Sequence, residues 1–272
     1  MRKALAGALV LIGIAASTAP AQAAVRAVVG VTPEGETCFL GGAQAGSFLS
    51  AEQVARQASF NQPYVLANLT GLLQQVTAIG MPALTETGDC EASYMVELAL
   101  AEGQPGAFAV ALSGSESEAK ALLPASISLE KPDGRARRVL GDHLEAAGLA
   151  KPELKFKQVI SVDLDGDKRD ELIVNAAHLG EEGAGPGDYS VLLVVKGDEV
   201  IPIHSDVVPP EDQQSEILPA LLDNEVVAVV DLDGDGIFEI VNYSAFDFGD
   251  GWELVSLKQG KAKHLLWCGC GG

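Results

Sequence analysis

The chain has 272 residues, with 38 Asp and Glu against 18 Lys and Arg, and a formal net charge of −20. That balance argues against a nucleic-acid partner or an anionic membrane surface, since both are held through Lys and Arg. With 47% hydrophobic residues and several β-branched runs, the chain has the material for one large or two modest cores and is not a disordered polymer.

Residues 1–23 have the three parts of a secretory signal. Arg2 and Lys3 supply the positive end, Ala4 to Ala16 the apolar stretch, and Ala21-Gln22-Ala23 a small-x-small cleavage site. The apolar stretch is shorter than the ~20 residues that span a bilayer, and no later run is longer. The expectation is therefore export to the periplasm or the extracellular space, with no membrane insertion after cleavage. Removing these residues takes away two basic side chains and no acidic one, leaving a net charge of −22.

Residues 24–150 read as a mixed α+β region of unassigned role. Val25 to Val31 is strand-like. Ser50 and Gln53 have capping-box spacing, opening a short helix through Gln57. Tyr94 to Leu100 and Phe108 to Leu112 read as strands between Gly, Pro and Ser. Between Gly134 and Ala147, the apolar residues Val139, Leu140, Leu144 and Ala147 recur at helical spacing, and Gly148 suits the position after the cap. Lys151-Pro152 marks a boundary.

Residues 151–272 are more regular. Lys155 to Val162, Leu172 to Ala176, Tyr189 to Val195 and Val200 to His204 predict four strands, with a turn at Lys196-Gly197-Asp198. After a Pro-rich acidic connection the pattern returns with Val226 to Val230, Phe238 to Tyr243, Trp252 to Leu257 and Ala262 to Trp267. The second of these turns is Lys258-Gln259-Gly260. The result is two internal repeats, about 155–206 and 224–267.

An acidic loop follows the first strand of each repeat. Asp163-Leu-Asp-Gly-Asp-Lys-Arg-Asp-Glu171 and Asp231-Leu-Asp-Gly-Asp-Gly-Ile-Phe-Glu239 share the pattern D-x-D-G-D-x-x-x-E, 68 residues apart. Carboxylates at positions 1, 3 and 5 converge only around a tight turn, which the glycine at position 4 permits. Asp163, Asp165 and Asp167, with Glu171 closing the shell and the carbonyl of Arg169, form one oxygen-only ligand set. Asp231, Asp233, Asp235, the carbonyl of Ile237 and Glu239 form the other. Four carboxylates this close repel one another, and two Ca²⁺ ions, one per loop, would resolve the conflict. Asp170, at position 8, is expected to point away. The loops do not fit an EF-hand, because position 12 is Val174 or Asn242 where a bidentate Glu is required and the flanks are β-branched.

The phrase Val-Asp-Leu-Asp-Gly-Asp, an acidic residue and then an apolar run resemble the calcium loops of FG-GAP/VCBS-type repeat proteins over roughly residues 155–267. In that family the loop lies between strands of β-propeller blades, as in integrin α chains. The resemblance implies a mainly β fold with two propeller-blade-like antiparallel repeats in the C-terminal half, after the mixed N-terminal region. It also implies calcium bound by Asp163, Asp165, Asp167 and Glu171, and by Asp231, Asp233, Asp235 and Glu239.

Cys38, Cys90, Cys268 and Cys270 suit an oxidising compartment. Of the three pairings, Cys38–Cys90 is favoured, with Cys268 and Cys270 closing a small ring or remaining thiols. The four histidines lack metal or triad spacing; His178 and His204, at strand ends, are expected to be satisfied or exposed. The glycines at 180, 183, 185 and 187 are interleaved with acids and read as a flexible hairpin that would repel phosphate. Asp247-Phe-Gly-Asp-Gly-Trp252 is either a turn whose Trp packs into the core, the favoured reading, or an exposed grip for a sugar or peptide. The expected function is a secreted calcium-stabilised binding module, with an extracellular glycan or protein as its partner. The alternative is a secreted calcium-supported hydrolase acting on polysaccharide through a carboxylate pair.

Overall fold

A computed structural model describes residues 23–85, 93–180, 184–210, 221–246 and 249–270. Residues 1–22 of the signal segment, Cys90, Asp247, Phe248 and most of the Pro-rich connection therefore lie outside the described residues. The first part of the chain runs β1 (Arg26–Val31), β2 (Thr37–Gln44), β3 (Ser47–Ser50), α1 (Ala51–Ala55), β4 (Pro63–Asn68), β5 (Gly71–Thr77), β6 (Ala83–Thr85), β7 (Ser93–Met95), β8 (Ala109–Ser113), α2 (Glu116–Ala121), β9 (Ser128–Leu129) and α3 (Gly134–Ala146). The later strands are β10 (Phe156–Val162), β11 (Glu171–His178), β12 (Tyr189–Lys196), β13 (Glu199–Val207), β14 (Asp223–Val230), β15 (Glu239–Phe246), β16 (Gly249–Ser256) and β17 (Lys263–Cys270), with a 3-10 turn at Lys258–Gly260 before β17.

The protein is mainly β, and every strand pair among the described residues is antiparallel. A six-stranded sheet has the order β3-β2-β1-β8-β4-β5, and β6 and β7 form a separate pair. The two repeats are up-and-down meanders, β13-β12-β11-β10 and β14-β15-β16-β17. The first is extended by the short strand β9. No closed barrel or propeller forms among the described residues.

Three sheets and a helix stack face to face. Ala136, Leu140 and Leu144 of α3 pack on Leu172, Val174 and Leu193. Ile160, Ile173, Leu192 and Val194, on the opposite face of that sheet, meet Val226, Val229, Ile240 and Val255 of the second meander. The far face of the second meander, with Val230, Val241 and Leu254, packs on Val28, Val65, Val110 and Leu112 of the six-stranded sheet. Val54 of α1, with Val96 and Leu98, covers the last face against Val29, Tyr64 and Leu66. Strands covered on both sides carry continuous apolar runs rather than alternation, which is why Tyr189 to Val195 is buried throughout. Strand β9 and helix α3 precede residue 151, yet they add to the first meander.

The local signals act as expected. Ser50 accepts from the Gln53 amide while the Gln53 side chain accepts from the Ser50 amide, closing the capping box of α1. The amides of Gly148 and Leu149 donate to the carbonyls of Glu145 and Leu144, and Gly148 has φ +99°, a Schellman end to α3. Of the segment 94–100, only the start joins a strand; Leu98 makes an isolated bridge to Ala78.

The favoured cysteine pairing is corrected: Cys38 is bonded to Cys268, with Cα atoms 5.8 Å apart, within the normal range. Packing of the second meander on the six-stranded sheet brings β17 beside β2, and Cys268 lies in that shared core. Cys268 therefore does not close a ring with Cys270.

Trp252 is 2% exposed, so it belongs to the core and not to an exposed grip. Its ring lies 5.1 Å from that of Tyr243 and 5.9 Å from that of Phe108. Gly30 of β1 leaves the space it needs, for a Cβ there would lie 2.2 Å from Trp252 Cδ2. Gly30→Ala is expected to lower unfolding free energy by about 1–3 kcal/mol in denaturant titration, the usual cost of overpacking. An unchanged midpoint would show that the ring moves freely.

Candidate metal centres

Each acidic loop joins the first two strands of its meander: the first loop leads from β10 to β11, and the second from β14 to β15. The final Glu opens the second strand, so ladder pairing Val162 with Glu171, and Val230 with Glu239, closes the loop at its base. Inside the loop the backbone wraps around the first Asp. Asp163 accepts from the amides of Gly166 (2.8 Å) and Lys168 (2.9 Å), and Asp231 from those of Gly234 (2.8 Å) and Gly236 (3.0 Å). The turn requires positive φ at position 4, with Gly166 at +75° and Gly234 at +82°. Position 6 is also left-handed, at Gly236 in one loop but at Lys168 in the other.

Two acidic triads result, Asp163/Asp165/Glu171 and Asp231/Asp233/Glu239. In each, one ligand atom per residue lies within 4.8 Å of the others. Asp167 and Asp235 stand outside the triads. Each uses its Oδ1 to accept an amide two residues on, from Arg169 (2.8 Å) and Ile237 (2.9 Å) respectively. Asp170 accepts from the Ser161 hydroxyl (3.0 Å) and is not one of the first triad's residues.

Both closing glutamates are buried, and in the second triad the Asp233 side chain is buried as well. Glu171 Oε2 accepts from the Leu164 amide (2.9 Å), and Glu239 Oε2 from the Leu232 amide (3.0 Å). Burial raises the pKa of Glu171, partly offset by that amide. Burial pushes the Glu239 carboxyl up to about 8. Glu239 is fully buried, and its Oε1 has no hydrogen-bond partner. An orphaned carboxylate oxygen carries a desolvation cost that a cation would remove. With oxygen donors alone, the triads fit a hard divalent ion better than a soft one. Both triads could hold metal ions.

The loops touch. The Phe238 amide donates to the Leu164 carbonyl (2.8 Å), so the second loop is bonded to the first. The Arg26 guanidinium reaches the Leu232 carbonyl (3.3 Å), and the Asp231 amide donates to the Leu122 carbonyl (2.8 Å). The second loop is thereby seated on the N-terminal region as well. A cleft of about 360 Å³ lies between the loops, lined by Asp165, Glu171, Lys196, Ile237 and Lys258 among others.

Those two lysines are site residues that motif spacing does not reveal. Lys196 pairs with Asp165, while Lys258 Nζ lies 2.8 Å from Asp233 Oδ2 and 2.6 Å from Asp235 Oδ2. Burial alone would lower the Lys258 pKa, but the bonds to Asp233 and Asp235 outweigh it and raise it. The hydrogen bond from Lys196 holds Asp165 below its ordinary range. The one sequence signal was that both predicted turns, at 196–198 and 258–260, begin with Lys.

The histidines are satisfied, as expected for His178 and His204. His178 Nδ1 lies 3.3 Å from Asp188, whose carboxylate also accepts the amides of Gly180 and Gly185. His204 and His264 both meet buried Glu253, the latter at 2.6 Å. Burial opposes ionisation of Glu253, but the contacts with His204, Asn242 and His264 outweigh it and lower its pKa.

Comparison with known proteins returns no matching family model, no matching curated protein and no matching solved structure. Among the described residues, no helix is long and apolar enough to cross a membrane.

Proposed function

We propose that the protein is an exported calcium-binding β-repeat protein, a binding or interaction module whose acidic loops are braced by Ca²⁺. The observation that carries this reading is the orphaned Oε1 of fully buried Glu239, whose carboxylate belongs to an acidic triad in a loop whose hydrogen bonds recur in the first meander. Calcium suits such a site because it accepts six to eight oxygens in flexible geometry, so backbone carbonyls and water can complete each triad. The motif's resemblance to FG-GAP/VCBS-type loops, which lie between blade strands, agrees with loops placed between the first two strands of four-stranded meanders. The Cys38–Cys268 bond is compatible with an oxidising compartment.

Calcium's role here is structural. It neutralises carboxylates that the fold brings together and ties the first strand of each meander to the second. The bond from Phe238 to the Leu164 carbonyl then makes both loops one surface, suited to an extracellular glycan or protein.

Calorimetric titration of the chelator-stripped protein with CaCl₂ tests the reading. Two calcium equivalents per chain are expected, falling to one in Asp231→Asn/Asp233→Asn. No heat and no saturation at millimolar calcium would refute it. A glycan and protein array, run in calcium and in chelator, then identifies the partner class.

A further inference from the structure

Each acidic loop already holds a cation belonging to the protein. Lys196 is the last residue of β12 and Lys258 follows β16 by two residues, so both stand at the C-terminal end of the third strand of their meander. Lys196 binds Asp165, and Lys258 spans Asp233 and Asp235. Asp165 and Asp233 occupy position 3 of the loop motif, and both belong to the triads. An ammonium and a divalent ion would therefore draw on the same carboxylates, and two positive charges at that spacing repel strongly.

We infer that Lys258 in the second loop, and Lys196 in the first, are resident counter-ions that a divalent cation must displace, so that they set the concentration at which the loops fill. The inference rests on the calcium reading above. The lysine is an incomplete substitute for an ion: with Lys258 in place, Glu239 Oε1, fully buried, still lacks a partner. An ion reaching all three carboxylates of the triad would satisfy what the ammonium leaves unmet. There is also somewhere for the displaced side chains to go. Both lysines line the cleft of about 360 Å³ between the loops, where Glu199 offers another carboxylate. Filling the loops would thus move two ammonium groups from the loop carboxylates into that cleft.

Calcium titrations of the wild type, Lys258→Met and Lys196→Met test this. Methionine keeps much of the apolar stem and removes the charge. Lys258→Met is expected to tighten one site about tenfold, a change of about 1.4 kcal/mol, and leave the other near its wild-type affinity. Lys196→Met should act on the opposite site, and Lys258→Arg should leave affinity unchanged. In chelator, Lys258→Met should melt below the wild type, and calcium should shrink the difference. If Lys258→Met fails to fold, Lys258→Leu takes its place in the same comparison. Wild-type binding with equal or weaker affinity in the neutral variants would overturn the lysine role and leave the calcium reading standing. Absence of binding by wild type and variants alike would overturn both.

Discussion

Stripping divalent cations from the protein is expected to lower its melting temperature by on the order of 10 °C. A ligand bound only by the native state adds about 2.7 kcal/mol at a hundredfold excess over its dissociation constant, and two loops contribute twice. For a chain of this size, each kcal/mol moves the transition by roughly 2–4 °C. Scanning calorimetry in calcium and in chelator measures the difference, and coincident transitions would contradict the calcium reading. Glu239→Gln separates the ion from the scaffold. Glutamine can keep the acceptor for the Leu232 amide while removing the buried charge. In chelator the variant should therefore match or exceed the wild type, whereas in calcium it should lose about half of the gain. A variant equally weak in both conditions would assign Glu239 a purely structural role.

Breaking the Cys38–Cys268 bond is expected to cost about 5 kcal/mol in the chain-entropy treatment of a crosslink. The two cysteines are 230 residues apart in sequence, so the bond constrains most of the unfolded chain. It also fastens the six-stranded sheet to the last strand of the second meander, where Cys268 packs beside Trp252 and Leu266. Cys38→Ser and Cys268→Ser should shift the denaturant midpoint alike, and the double substitution should add little to either. Peptide mapping without reductant should recover a fragment joining Cys38 to Cys268. A fragment joining Cys38 to Cys90 would contradict the assignment.

The cysteines show where reading the chain locally stops. Closure entropy varies only as the logarithm of loop length, so it scarcely separates a short pairing from a long one. The partner of Cys38 is settled by which sheets stack. Strand β2 gives a weak local signal as well: Thr37–Gln44 holds Gly41 and Gly42, poor strand formers by propensity. A Cβ at Gly42 would lie 2.3 Å from the Arg26 carbonyl oxygen, so close backbone packing accounts for a residue that weakens the local signal. Lys196 and Lys258 are legible as turn residues, but Asp165 lies 31 residues from the first and Asp233 25 from the second.

Features governed by near neighbours along the chain are legible in the residues alone. These are the eight strands of the two meanders, the capping box of α1, the glycine end of α3 and the acidic loops. Periodicity, capping and turn sterics act over a few residues, so their signals survive without knowledge of the fold. Long-range packing sets the rest: the two loops touch, lysines rest on their carboxylates, Glu239 keeps an unpaired oxygen and Cys38 meets Cys268. Those outcomes depend on which apolar faces bury one another, and stacked faces join residues that the chain separates by tens or hundreds of positions.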